Sequence, residues 1–300
     1  MSVSDADRAK ADELHEAARA LEDEPALEMY QQVLALDPER PTTHYNIGLI
    51  YKYQGRWQES FSHNQRAVSL DPDSEAANWN LAIAATALRD WRTARDVWNR
   101  LGMNIEPGDT AIESDFGVTP VRLNPDDSGE VVWGRRIDPV RVRIESVPWA
   151  SSGYRYADIV LHDGAAVGYR TVEDREYPVF NVLELFEHSQ LSTFEAEVRA
   201  ASPTDIEELI AAFDRTEIPH ENWTTSVRVI CRQCSEGRPH EHHDEERKNE
   251  WPDRHVFGVA AMGRELAESV LLQWAGGRRL IGRRRKVLRF ELKLAPPLRH

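Results

Sequence analysis

The chain has little sulfur: of its 300 residues, two are cysteine and four are methionine. Both cysteines lie in one short stretch, Cys231-Arg232-Gln233-Cys234, so a disulfide framework does not organise the fold. Long apolar runs are missing too. No stretch approaches the roughly 18 residues that a membrane-spanning helix needs, so no membrane span is expected. The first residues, MSVSDADRAKADELHEAA, have neither a basic start nor an apolar core. A secretory signal is therefore not expected, and a cytoplasmic address follows by default. Positive charge is scarce overall: 37 Lys and Arg stand against 51 Asp and Glu, for a net charge of −14. That balance argues against a whole surface built for nucleic acid or an anionic membrane. The sequence also lacks a Gly-rich phosphate loop, a G-x-S-x-G elbow and a His-Glu-x-x-His pair, so no common enzyme signature is present.

What is present fits a folded chain of about two domains. Apolar residues make up 41% and charged residues 29%, ordinary values for a globular protein. The pattern changes along the chain. Helical periodicity runs to about residue 104. Residues 105–130 are rich in Pro, Gly, Asp and Ser and read as a linker. Alternating, strand-like patterns follow. The expected fold class is α+β: an all-α helical-hairpin stack over residues 1–104, a small antiparallel β part over 131–190, and a further α+β region over 191–300.

The helical part has a repeat. Pro41 to Ser74 is a unit of 34 residues. Apolar or small residues fall at Ile47, Gly48, Ser60 and Ala67, aromatics at Tyr51 and Trp57 after the Gly55 turn, and the unit closes on Asp71-Pro72. This pattern and period resemble the tetratricopeptide repeat, or TPR. Two positions depart from that family: His44 stands in place of Trp, and Asn64 in place of the second aromatic. One period earlier, residues 7–40 give a degenerate unit with Ala26, Tyr30, Val33 and Pro38 in place. One period later, residues 75–104 give Leu81-Ala82, Trp91, Ala94 and Trp98. Three units is about the minimum for a stable stack. The resemblance implies a binding groove lined from the first helix of each unit. In this chain the implied lining residues are Tyr45, Asn46, Leu49 and Tyr53, then Trp79, Asn80 and Ile83. Another protein or a short peptide is the implied guest. The Lys and Arg with which chaperone-binding TPR proteins clamp a carboxylate are missing from these positions. A second occupant stays open at this stage: Tyr45, Tyr53 and Trp79 can pack against the chain's own C-terminal region.

The β regions read as follows. Val140, Val142 and Ile144 alternate with charged residues as one strand. Ile159–Tyr169 reads as a hairpin whose turn is His162-Asp163-Gly164. Tyr177–Leu185 gives another strand, with Pro178 hinting at an edge. From residue 191 the order is strand, helix, strand, strand, helix, strand: Phe194–Ala200, a helix capped by Ser202, Val227–Cys231, His255–Ala261, Gly263–Trp274 and Lys286–Leu294. That order is the ferredoxin-like split motif, βαββαβ.

The sharpest chemical signal is Cys231-x2-Cys234-x5-His240-x-His242-His243. Two thiolates on a tight turn, with imidazoles close behind, match the donor set of a tetrahedral Zn²⁺ site. Cys231, Cys234, His240 and one of His242 or His243 would close it, which implies a structural role. Three ligands would leave a water position and open a metal-dependent enzyme as the alternative. From Gly277 to His300, nine Lys or Arg stand against Glu291 alone. This tail offers nucleic-acid binding as a further alternative, against intramolecular pairing with the acidic surface. The expected function is a protein-interaction adaptor with no chemistry of its own.

Overall fold

A computed structural model describes residues 3–127, 129–225, 254–277 and 290–294. The chain divides into two compact units, Met1–Glu113 and Ser114–His300, each considered by itself below.

The first unit is six helices: α1 (Asp5–Ala18), α2 (Asp23–Leu36), α3 (Pro41–Tyr53), α4 (Trp57–Leu70), α5 (Glu75–Ala87) and α6 (Trp91–Arg100). Their starts are legible in local chemistry. Ser4, Ser74 and Asp90 accept backbone N–H bonds at the starts of α1, α5 and α6, filling donors that a helix leaves open. Pro41 opens α3, where its fixed φ suits the first turn. Helices 3 and 5 start 34 residues apart, as do helices 2, 4 and 6, so the repeat period is kept in three dimensions. The core between the first two hairpins collects Ala18, Ala26, Leu27, Tyr30, Ile47 and Tyr51.

The chain leaving α6 does not run free. Buried Arg95 donates from its guanidinium to the carbonyl oxygens of Glu106, Gly108, Thr110 and Ala111. The Asn99 amide makes a two-way pair with the backbone of Ile105, at 2.7 and 2.6 Å. Residues 105–113, expected as linker, therefore lie along the last helix as part of the first unit.

The second unit opens with a closed barrel of β1 (Val118–Arg122), β2 (Val131–Arg136), β3 (Arg141–Ile144), β4 (Ile159–Val172) and β5 (Arg175–Glu187). β1 also falls inside the expected linker. Its residues Thr119–Arg122 are buried, and neighbouring Pro and Gly mask a short strand in composition. Successive strands pair antiparallel. Five strands in such a meander leave the first and last pointing the same way. The barrel can then close only through a parallel pair, Val121 with Phe180 and Arg122 with Asn181. Val121, Leu123, Val132, Val142, Ile144, Val160 and Val182 fill its interior.

The expected hairpin turn at Asp163-Gly164 is corrected by the register. β4 runs on to Val172, and Asp163 to Ala165 form a bulge between the pairs His162–Val182 and Ala166–Phe180. The turn lies at Glu173-Asp174, both at positive φ, 48° and 62°, as a two-residue type I′ turn demands. The Asp163 side chain explains the bulge: its carboxylate accepts the Gly164 N–H at 2.7 Å, and a bulge takes up the extra residues.

The rest of the unit is a four-stranded sheet with two helices: β6 (Ser192–Arg199), α7 (Pro203–Asp214), β7 (His220–Asn222), β8 (Arg254–Ala261), α8 (Arg264–Gly277) and β9 (Phe290–Leu294). The order across the sheet is β7-β8-β6-β9, antiparallel throughout, which is the ferredoxin-like arrangement. Ser202 and Asp205 form a reciprocal capping box on α7. Phe194, Ala196, Val198, Phe257 and Val259 of the strands meet Ile206, Leu209, Phe213, Val270, Leu271 and Trp274 of the helices. Two details differ from expectation. The second strand is His220–Asn222; Val227 to Cys231, expected there, lie outside the described residues. The spacing of α8 puts Leu266 inward with Val270, Leu271 and Trp274, but Leu266 is 50% exposed and the inward position belongs to Ala267 one residue on. Sheet and barrel are tied through Trp223, which lies over Gly258, where a Cβ would come within 2.2 Å of the ring. Trp223 Nε1 donates to the Val147 carbonyl at 3.0 Å. Among the described residues, no helix is long and apolar enough to cross a membrane.

Candidate functional site

The residues that the resemblance implies for a groove lie on α3 and α5. Tyr45, Leu49 and Tyr53 are spaced by four on α3, so they share one face. Tyr45, Asn46, Leu49 and Trp79 are half-buried and Tyr53 is 58% exposed. Asn80 and Ile83 are buried. The seven residues thus divide into an accessible set, mostly on α3, and a buried pair on α5.

The two asparagines occupy the same repeat position and do different work. Asn46 donates from Nδ2 to the Tyr30 hydroxyl at 3.0 Å and lies 3.5 Å from His15 Nε2. His15 Nδ1 sits 2.9 Å from Thr43 Oγ1. Since the Asn46 N–H₂ can only donate, His15 Nε2 accepts and Nδ1 carries the hydrogen. Burial, then the Arg40 charge, lowers the His15 pKa, in keeping with that neutral ring. Burial raises the Tyr30 pKa, so its hydroxyl stays protonated. With its nitrogen held from within the stack, Asn46 has its carbonyl oxygen left to accept; no described residue donates to it.

Asn80 is arranged the other way round. Its Oδ1 accepts from Lys52 Nζ at 3.2 Å. An ammonium only donates, so this bond fixes which end of the amide is oxygen. Asn80 Nδ2 is then left buried with no protein acceptor among the described residues. Lys52 itself is 3% exposed and lies 4.5 Å over the Tyr53 ring. Lys52 escaped the sequence reading because it falls between groove positions. A charged residue inside the apolar run Ile47–Tyr51 and Tyr53 was the signal that could have flagged it. Trp79 meets buried Trp98 edge-on, at 4.9 Å between ring centroids and 73°, which fixes its orientation.

Cys231, Cys234, His240, His242 and His243 all lie outside the described residues, between β7 and β8. Among the described residues, no group of three or more His, Cys, Asp or Glu is placed to hold a metal ion. The barrel and sheet share a shallow cavity of about 300 Å³ lined by Glu145, Tyr156, Asp214, Glu217 and His220, among others. His220 stacks on Phe213 at 4.9 Å, and its Nδ1 lies 3.1 Å from the Ile218 carbonyl. His162 and Asp163, at the bulge, are buried in the barrel wall.

Residues 22–55 match the family model described as TPR repeat, a span that covers α2 and α3. The helical stack is of that kind. Among solved structures, the Sgt2 TPR domain from Aspergillus fumigatus is 22% identical, over 30% of this chain and 63% of that one, with a TM-score of 0.29. The second TPR of Spaghetti (RPAP3), bound to the HSP90 peptide SRMEEVD, is 19% identical, over 33% of this chain and 98% of that one, with a TM-score of 0.31. The match thus spans less than two thirds of the Sgt2 domain. No curated protein matches the chain.

Proposed function

We propose that this chain, whose residues 22–55 match the TPR repeat, is a protein-interaction adaptor that receives a peptide segment on the inner face of α3. The observation that carries the reading is the accessible stripe Tyr45, Asn46, Leu49 and Tyr53. It sets three apolar or aromatic contacts around one amide carbonyl whose own nitrogen is already engaged. Such a carbonyl suits the N–H of an extended guest, while the rings supply apolar contact area. The guest is short, because three helical hairpins give a short groove. Asn80 and Ile83 support the face from beneath and do not reach the guest.

The test is capture from the native cell with tagged full-length chain, alongside Asn46→Ala and Tyr45→Ala variants. A specific protein retained by the wild type and lost by both variants, with helical content unchanged, is the expected result. Absence of any protein partner, or equal capture by the variants, overturns the reading.

The Cys231–His243 stretch belongs to the proposal through its spacing alone: Cys231, Cys234, His240 and His242 or His243 hold a structural Zn²⁺. Elemental analysis of purified chain tests it. About one zinc per chain, lost together with stability of the second unit in Cys231→Ala, is expected. A metal-free wild type ends the idea. Zinc lost while the fold stays intact and an activity disappears would favour the enzyme alternative.

A further inference from the structure

The contact between α3 and α4 holds two imidazoles that the groove does not use. His44 comes from the first turn of α3 and His63 from the middle of α4. Their Nδ1 atoms lie 3.1 Å apart and their ring centroids 5.2 Å. His44 Nε2 sits 3.2 Å from the Pro38 carbonyl oxygen. A carbonyl only accepts, so Nε2 carries the hydrogen, and in the neutral ring Nδ1 is a bare lone pair. His63 Nδ1 then supplies the hydrogen between the rings. Both rings are half-buried. Burial above all keeps both below the usual histidine range, with His63 at about 4, although the Pro38 carbonyl acts the other way on His44. Both are neutral at pH 7. A neutral imidazole whose other nitrogen is fixed by a backbone carbonyl is how proteins commonly present histidine to a metal.

We propose that His44 and His63 together hold one divalent transition-metal ion through their Nδ1 atoms, with water completing its coordination. An ion about 2.1 Å from two imidazole nitrogens sets them about 3.0 Å apart at a right angle and about 3.4 Å apart at the tetrahedral angle. The observed 3.1 Å lies near the right angle, so Ni²⁺ or Cu²⁺ in tetragonal geometry fits better than tetrahedral Zn²⁺. Binding releases no net proton: the hydrogen on His63 Nδ1 moves to its Nε2. The surroundings limit affinity. Arg66 lowers the His44 pKa by its charge, although Glu39 pairs with it at 3.2 Å. Arg56 lies over the Tyr51 ring, which in turn meets His63. No third His, Cys, Asp or Glu joins the pair among the described residues.

The test is Ni²⁺ titration of the full chain followed by amide NMR, where the paramagnetic ion broadens signals around its site. Broadening centred on residues 44 and 63 is expected in the wild type. The same signals stay sharp at equal Ni²⁺ in His44→Gln and His63→Gln, whatever occurs between Cys231 and His243. Circular dichroism checks that the variants keep their helices. A wild type without broadening in α3 and α4 overturns the proposal, as does undiminished broadening in a folded variant. Should both variants unfold, the wild-type map decides.

Discussion

The Asn64 amide fills the space beside Gly48: a Cβ on Gly48 would lie 2.4 Å from Asn64 Nδ2. Asn64 is fully buried on α4, with its Nδ2 donating to the Ser60 carbonyl at 2.8 Å. The Ser60 hydroxyl donates across to the Gly48 carbonyl, also at 2.8 Å. The two helices of this hairpin therefore meet backbone to side chain at Ser60 and Gly48, while Asn64 Oδ1 stays buried and accepts no hydrogen bond among the described residues. Gly48→Ala is expected to destabilise the first unit by about 1–3 kcal/mol through overpacking. Urea unfolding measures it. Adding Asn64→Ala makes room for the methyl group, so the double variant loses less than the sum of the two singles.

Arg89 occupies in the third unit the place that Gly55 holds in the second, one period on. Both are left-handed, at φ 61° and 68°. Only glycine takes that conformation without a clash between Cβ and carbonyl, a strain of about 1–2 kcal/mol for other residues. Arg89→Gly is expected to raise the stability of the first unit by up to about 1 kcal/mol, less whatever the Arg89 side chain contributes. A rise in the midpoint of thermal unfolding reports it. A fall would mean that those side-chain contacts outweigh the strain.

The helical half was legible because its punctuation is local: Pro41, Ser74 and Gly55 act within a turn of where they sit. The β half hid its turn. Asp163-Gly164 has the composition of a hairpin turn and forms a bulge, whereas Glu173-Asp174 has no such composition and forms the turn. Register over two long strands decided this, and register is a nonlocal quantity. Among the candidate site residues, Tyr45, Asn46, Leu49 and Tyr53 followed from the lining positions that the repeat resemblance implies, and all four keep some exposure. The sequence did not separate Asn46 from Asn80, because their difference arises from Lys52, 28 residues before Asn80 and across a helix contact.

The Glu173-Asp174 turn gives a prediction of its own. Both residues carry positive φ, and the flanking segment from Thr171 to Glu176 is exposed. Replacing the pair by Asn-Gly supplies the residues a type I′ turn prefers. The second unit should gain about 1 kcal/mol, chiefly from the glycine position. Thermal unfolding followed through that unit checks it. A gain is expected only if the turn stays at two residues; transfer of the turn to Asp163-Gly164 would appear as altered amide exchange along β4.

Acid should weaken both units, chiefly through the most strongly shifted histidine of each. His63 in the first unit and His162 in the second both have a pKa lowered to about 4, by burial above all. In the unfolded chain each titrates near 6.5. Above that value both states bear a neutral ring, and the stabilising difference is fully present. As the pH falls, the unfolded chain takes up protons that the folded chain refuses, so stability declines from about 6.5 down to about 4. Below that the folded rings protonate too and the loss levels off. For His162, fully enclosed against Phe180, linkage puts the loss at about 3 kcal/mol. For half-buried His63 it is smaller, because solvent screens part of the penalty. Urea midpoints measured at several pH values from 7 to 4 read the slope for each unit. His63→Gln should flatten the slope of the first unit and leave that of the second unchanged. An unaltered slope in that variant would place the acid sensitivity of the stack elsewhere, with His15 as the next buried ring to test.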